Sequence, residues 1–332
     1  MIEKIAEKIM NGEYLNYAEL KDFVDNIRSG NINSLQFVSI LAAMESRNRI
    51  NGINPDESAN FVRALRLPQT HHLEGVLCNA GTGGDKVKTI NVGTTSMPIL
   101  AEAGINVLKI GYKGITSKCG SRDILQALGL NPFLSIDKVI ESVKQVKMGY
   151  YDFANLIIIE DRSGFRSPLH YLAPLCHPLN LTYKIMGCSN KKHLEIVKPI
   201  LERLCENYLL TFNPDIDEIS PLTPTIIVEK RNGARSEYEF NPLELNLLCR
   251  DYRDIGSSEV PEKSAMIIRE IYEGKRSPKS EFIAINAGAG LYLSGNVCSI
   301  AEGFSLALEI LKSRKALERF NSWARFQGKN EA

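Results

Sequence analysis

The chain has 332 residues, enough for one large domain or two unequal ones, and its 44% hydrophobic and 24% charged residues exclude disordered, collagen-like and disulfide-scaffold classes. Forty Lys+Arg against 39 Asp+Glu leave a net charge of +1, so no global field draws the protein to nucleic acid or to a membrane. Seven cysteines (Cys78, Cys119, Cys176, Cys188, Cys205, Cys249 and Cys298) include no C-x-x-C pair, and reduced cytosolic thiols are expected. The opening residues mix acidic and basic side chains without an apolar signal core, so a soluble, cytoplasmic protein is expected.

In chain order, the first 66 or so residues predict short helices. Ile2, Ile5 and Ile9 share a face, and Asn16-x-x-Glu19 offers a capping box for a helix closed at Ser29-Gly30. Leu35, Val38, Leu41, Ala42 and Ala43 fall near helical spacing, and Asn54-Pro55 starts another helix with proline in its first turn. After Leu67, apolar β-leaning runs alternate with glycine turns and helical patterns, the mark of an α/β layer fold with a central, largely parallel sheet. Strands are expected at Ile105 to Gly111, Leu156 to Ile159, Leu209 to Phe212, Thr225 to Val228 and Phe282 to Asn286, with a helix from Ser121 to Leu128. The longest charge-free stretch, Phe282 to Ala301, contains glycines and asparagines and reads as buried strand and turn rather than a membrane span. Residues 301 to 319 predict one amphipathic terminal helix.

The densest chemical signal is Gly81-Thr82-Gly83-Gly84-Asp85, followed by Thr89-Ile90-Asn91-Val92-Gly93-Thr94-Thr95-Ser96 and an apolar helix from about Met97 to Ala103. Glycines allow close backbone approach, and hydroxyls at a helix start can join N–H groups in cradling an anion. A glycine turn that merely caps a helix explains the pentapeptide equally simply. The segment is neither a Walker loop nor a GxGxxG dinucleotide fingerprint. A second glycine-rich loop with lysines and hydroxyls runs from Lys109 to Ser121 and leads into a helix. Asp217-Glu218, within Asp215 to Ser220, is either a pair able to hold Mg2+ against an oxyanion or a solvated acidic turn. No His/Cys/Asp spacing suggests zinc.

Taken in order, these segments resemble the anthranilate phosphoribosyltransferase family, which shares a fold group with type II nucleoside phosphorylases, over nearly the whole chain. The family's GTGGDG and TFNIST appear as GTGGDKVKTINVGT from Gly81 to Thr94; its KHGNRSVSS…SGS turn appears as KIGYKGITSKCGS from Lys109 to Ser121, continuing as RDILQALG. Its Asp-Glu metal pair appears as Asp217-Glu218, and INAGAGLYLSG from Ile285 to Gly295 is also similar. The resemblance implies a small helical domain, residues 1–70, joined by a segment near 164–190, and an α/β domain of 71–163 and 191–332 that binds the donor. It implies 5-phosphoribosyl-1-pyrophosphate (PRPP) as donor, Mg2+ as cofactor and a homodimer formed through the helical domain. Gly81, Thr82, Gly83, Gly84, Asp85, Thr89, Asn91, Thr94, Lys109, Ser117 and Ser121 are the implied donor contacts, with Lys109 and Asp85 carrying catalysis and Asp217 and Glu218 the metal.

The departures fall on the acceptor side. Ile110 and Tyr112 replace the His and Asn of KHGN, and Lys113 the next Arg. Gly111, Tyr112, Arg162, Arg166 and His170 are the candidate acceptor contacts, the two arginines being the nearest cations for a carboxylate. Anthranilate is the nominal acceptor, but these replacements favour a different planar aromatic or heteroaromatic one. Gly93 stands where the family usually has a magnesium-contacting serine. Two alternatives stay open, a nucleoside phosphorylase-like enzyme and a non-catalytic nucleic-acid-binding relative whose GFRSPLHYLA-like segment resembles residues 164–173. The intact glycine loop and Asp217-Glu218 favour the transferase. Leu156 to Asp161 superficially suggests a type I phosphoribosyltransferase signature but lacks the Thr-Gly-x-Thr turn that should follow.

Overall fold

Four helices open the chain, each started by the residues that its backbone needs. In the computed structural model, which describes residues 2–67, 72–82, 86–111, 119–155, 167–188 and 190–328, α1 (Ile2–Met10) buries Ile5 and Ile9. Helix α2 (Tyr17–Arg28) carries the expected capping box: the Glu19 N–H donates to Asn16 Oδ1 at 3.0 Å and the Asn16 N–H to Glu19 Oε2 at 2.8 Å. Asn33 and Gln36 repeat the device at α3 (Ser34–Asn51), and Asn54 caps α4 (Pro55–Leu65). Phe23 lies with its ring centroid 6.2 Å from Phe37 and 6.4 Å from Phe61 at the centre of this bundle. On α3 the buried face is Phe37, Ile40, Leu41 and Met44; Leu35, expected on that face, is exposed.

The sheet has seven strands: β1 (Val76–Asn79), β2 (Asn106–Gly111), β3 (Met148–Asp152), β4 (Tyr183–Cys188), β5 (Asn207–Phe212), β6 (Thr225–Arg231) and β7 (Ala234–Phe240). Their order is β3-β2-β1-β4-β5-β6-β7; the first five pair in parallel and the last two add antiparallel. Chain order reverses between β1 and β4, and in open α/β sheets ligands bind outside the carboxyl ends of strands at such a point. The remaining helices are α5 (Val92–Thr95), α6 (Met97–Glu102), α7 (Ser121–Ala127), α8 (Ile136–Val146), α9 (Leu169–Leu172), α10 (Lys191–Leu204), α11 (Pro261–Tyr272), α12 (Pro278–Leu293), α13 (Ile300–Lys312) and α14 (Lys315–Phe326). Alternate strand residues feed two cores. Leu77 and Val107 join one with α5 to α7 and α11 to α14, whereas Val76, Cys78, Leu108 and Ile110 join another with the N-terminal helices, α8 and α10. Arg203 of α10 bonds Asp56 of α4 at 2.6 Å, fastening the bundle to the sheet layer.

Two expectations are corrected. Phe282 to Asn286 is not a strand but part of α12, in which nearly every residue is buried. A helix that is apolar all round loses the 3.6-residue alternation that would identify it. Its glycines serve close packing: a β-carbon on Gly288 would lie 2.7 Å from the Gly303 carbonyl carbon of α13, so the two backbones meet directly. The single terminal helix is two, α13 and α14, parted where Arg314 takes a left-handed conformation (φ 61°). Leu156 to Ile159 lies outside the described residues. Among the described residues no helix is long and apolar enough to cross a membrane.

Candidate active site

Beyond β1 the chain keeps running beside β4, with the Ala80 N–H donating to Ile185 O at 3.1 Å and the Thr82 N–H to Gly187 O at 2.9 Å. Two glycines there are dictated by one neighbour. A β-carbon on Gly81 would overlap the Asp217 carboxylate, and one on Gly187 would overlap the Asp217 carbonyl group. Asp217 is thus wedged between the backbones at the reversal point. The acidic turn is no solvated loop: Ile216 and Ile219 are fully buried, and Asn286 of α12 accepts from the Ile219 N–H at 3.0 Å and donates to its carbonyl at 3.1 Å. Asp217 itself is buried; Glu218, half-buried, accepts from Thr89 Oγ1 at 3.4 Å. Thr89 is in turn held by a bridge to Gly256.

Lys109 reaches the same place from β2. Its Nζ donates to Asn79 O at 2.8 Å, and the side chain is buried. Burial drives its pKa down to about 8, Lys184 adding to the fall while Cys78, Asp217 and Glu218 oppose it. A β-carbon on Gly93 would stand 2.6 Å from this Nζ, so the amine occupies the space that a side chain at position 93 would need. That gives the glycine its physical reason. Next to it, Thr94 is buried and its Oγ1 has no hydrogen-bond partner among the described residues, a lone polar atom of the kind that ligands satisfy. Asn91 starts α5, and its Nδ2 donates to Cys119 O at 3.4 Å, tying the first loop to the residues just ahead of α7.

At the end of β2, a β-carbon on Gly111 would meet Tyr150 Cε2 at 2.8 Å and Ser121 Cβ at 2.9 Å. Ser121 is the first residue of α7. The structure therefore gathers Gly81, Thr82, Thr89, Asn91, Thr94, Lys109, Gly111, Ser121, Asp217 and Glu218 along the carboxyl ends of β1, β2, β4 and β5. Gly83, Gly84, Asp85, Tyr112, Ser117, Arg162 and Arg166 lie outside the described residues, and His170 falls in α9. His177, the other histidine of that region, is a core residue. Its ring bridges Leu108 O (Nε2, 3.0 Å) and the Leu179 N–H (Nδ1, 3.1 Å), and burial pushes it down to about 4, so it is neutral and donates through Nε2. Ile110, read above as an acceptor-pocket replacement, is a buried member of the core on the bundle side of the sheet.

Sequence reasoning missed Gly187, Asn79 and Asn286, all of which act through contacts distant in sequence. Among the described residues no group of three or more His, Cys, Asp or Glu is placed to hold a metal. A carboxylate pair does suit Mg2+, which keeps waters and takes substrate phosphate oxygens beside one or two carboxylates. Asp217, against which two glycine backbones pack, and Glu218 are neighbouring carboxylates that could serve as such a pair.

A helical bundle packed on one face of a mostly parallel sheet, with its polar groups at the strand-order reversal, defines a glycosyltransferase architecture: residues 3–67 match the glycosyl transferase family, helical bundle domain, and residues 73–317 the glycosyl transferase family, a/b domain. The sequence is 30% identical to the anthranilate phosphoribosyltransferase of Persephonella marina over 96% of each chain, and 30% identical to that of Lacticaseibacillus paracasei over 100% of this chain and 99% of the relative. Within the glycosyl transferase family, the chain belongs to the anthranilate phosphoribosyltransferases, and it is a pentosyltransferase. The Thermus thermophilus anthranilate phosphoribosyltransferase superposes with a TM-score of 0.85 at 26% identity, covering 98% of this chain and 99% of that one. The Saccharomyces cerevisiae enzyme in complex with PRPP and Mg shares the fold, with a TM-score of 0.80 at 20% identity over 98% of both chains.

Proposed function

We propose that the protein transfers the 5-phosphoribosyl group of PRPP to anthranilate, releasing pyrophosphate, with Mg2+ as cofactor. The observation that carries this is Asp217 wedged between Gly81 and Gly187, with Lys109 within electrostatic reach at the strand-order reversal. In the reaction the anthranilate amine bonds to C1 of the ribose, the C1–O bond to pyrophosphate breaks, and the amine gives up a proton. Positive charge builds on the sugar and negative charge on the leaving group, so placed dipoles and charges supply the catalysis and no protein nucleophile is needed. Lys109 supplies a cation toward the donor's anionic groups, Thr94 a hydroxyl, and the Gly81-Thr82 backbone its close approach. Asp217 and Glu218 would hold Mg2+, which offsets the charge of the departing pyrophosphate.

The different acceptor expected from the sequence gains no support. One of its two grounds, Ile110, is a core residue; the other, Tyr112, lies outside the described residues; and the relatives are named for anthranilate. Nor do those relatives support a phosphorylase or a nucleic-acid-binding protein. Arg162 and Arg166 remain the proposed cations for the anthranilate carboxylate. The cleft is proposed to lie between a helical domain, 1–70, and the α/β remainder. Within the joining segment near 164–190, Tyr171 OH accepts from Asn48 Nδ2 of the bundle at 3.2 Å, whereas β4 belongs to the sheet. Dimerisation through the helical domain belongs to the same proposal, with sedimentation as its check. Calorimetric titration with PRPP, with and without Mg2+, followed by fluorimetric depletion of anthranilate, tests the reading. Metal-dependent binding and anthranilate loss are expected; absence of PRPP binding in both conditions would sink it.

A further inference from the structure

The carboxyl end of β3 carries a charged cluster that the proposed chemistry does not use. Parallel pairing sets Tyr150 beside Lys109 and Asp152 beside Gly111, on one face of the sheet. Asp152 is fully buried and accepts four hydrogen bonds from three directions. Arg122, the second residue of α7, donates from Nε and Nη2, each at 2.6 Å; the Ala154 N–H donates at 2.9 Å and Tyr150 OH at 3.4 Å. The arginine is 15% exposed, so the fork is largely shielded from solvent. A buried fork of this kind is weak evidence for stability, because desolvation offsets much of the attraction, but it fixes the relative geometry of the elements that it joins.

Those elements bracket one point. Tyr150 Cε2 and Ser121 Cβ both close on the space beside the Gly111 α-carbon, at 2.8 and 2.9 Å from where a β-carbon would stand. Asp152 grips Tyr150 through its hydroxyl and Ser121 through the adjoining Arg122. Gly111 is a candidate acceptor contact and Ser121 a candidate donor contact. Resting on the function proposed above, we infer that Asp152 is a positioning residue: through Arg122 and Tyr150 it sets the spacing between the acceptor side of the site at Gly111 and the donor side at Ser121. It touches no reacting atom.

The test compares steady-state kinetics and melting temperatures of the wild type, Arg122→Lys, Asp152→Asn and the double variant Arg122→Met/Asp152→Leu. The double variant removes both charges of the fork together, so it is the one designed to stay folded. The expected result is a KM for both PRPP and anthranilate raised roughly tenfold or more in the double variant, as misplacement of bound reactants demands, with little change in melting temperature. Arg122→Lys, which keeps the charge but not the fork, should fall between it and the wild type. Wild-type KM values in a folded double variant, or losses in the single variants that only track the folded fraction, would overturn the inference while leaving the functional reading intact. A wild type that neither binds PRPP nor consumes anthranilate would overturn that reading, and this inference with it.

Discussion

Asp152 and Asp217 are both buried aspartates at the carboxyl edge of the sheet, yet the fold fixes them by different means. Asp152 is held at its carboxylate by an arginine fork. Asp217 is held at its main chain, where Gly187 leaves no room for a β-carbon and Thr211 Oγ1 donates to its carbonyl at 3.3 Å. The ion pair spends the Asp152 charge on architecture, whereas close glycine backbones set where the Asp217 carboxylate stands. The difference separates a group that orients the site from one proposed to act in it.

The largest effect is expected at Gly187. Gly187→Ala drives a methyl group into the Asp217 carbonyl group, which flexible side-chain motion cannot relieve, so kcat/KM should fall on the order of 100-fold or more, with a lowered melting temperature, by kinetics and calorimetry. Next comes the charge itself. Asp217→Asn should raise the Mg2+ concentration for half-maximal activity roughly 10- to 100-fold, while Asp152→Asn leaves that midpoint where it was. Equal shifts in the two variants would erase the distinction between them.

The pH dependence of Lys109 sharpens the picture with a sign. Because burial holds its pKa at about 8, below 10.5, the cation discharges as pH rises through about 8, and affinity for an anionic donor should fall with it. Folding stability moves the other way. Below about 8 the buried ammonium is a constant cost, and between 8 and 10.5 the unfolded chain binds the extra proton, so this residue's contribution to stability rises with pH. Lys109→Met should flatten both trends, measured as KM for PRPP and as urea midpoint against pH. The smallest expected change is at Thr89→Val, where loss of one 3.4 Å hydrogen bond to Glu218 should cost about 1 kcal/mol, roughly fivefold in Mg2+ affinity.

How much of this was legible in the sequence followed the range of the interactions. Capping is local, so Asn16-Glu19 and Asn54-Pro55 marked true helix starts, and the residue order of the glycine loop and acidic pair marked the family. Strand β1, four residues buried on both faces, offers no alternation to find, and α12 hid its helical period for the same reason. Gly187 and Asn286 matter only because Asp217 and Ile219 come to rest against them, and the Arg122–Asp152 fork joins positions that no motif links. What decides such sites is tertiary contact, which leaves no short-range signature.

The sheet order has one more consequence, for how the molecule is made. Strand β1 sits between β2 and β4, and β4 ends only at Cys188; the acidic turn that closes the reversal point comes later still, and its anchor Asn286 nearer the end of the chain. During vectorial synthesis β1 therefore emerges long before its second neighbour exists. Contacts of such long sequence separation are slow to form and expose unpaired edges meanwhile. A ribosome-stalled fragment ending before β4 would hold a complete capped bundle beside an unfinished sheet, and competence for chemistry would arrive last, with the carboxyl-terminal helices.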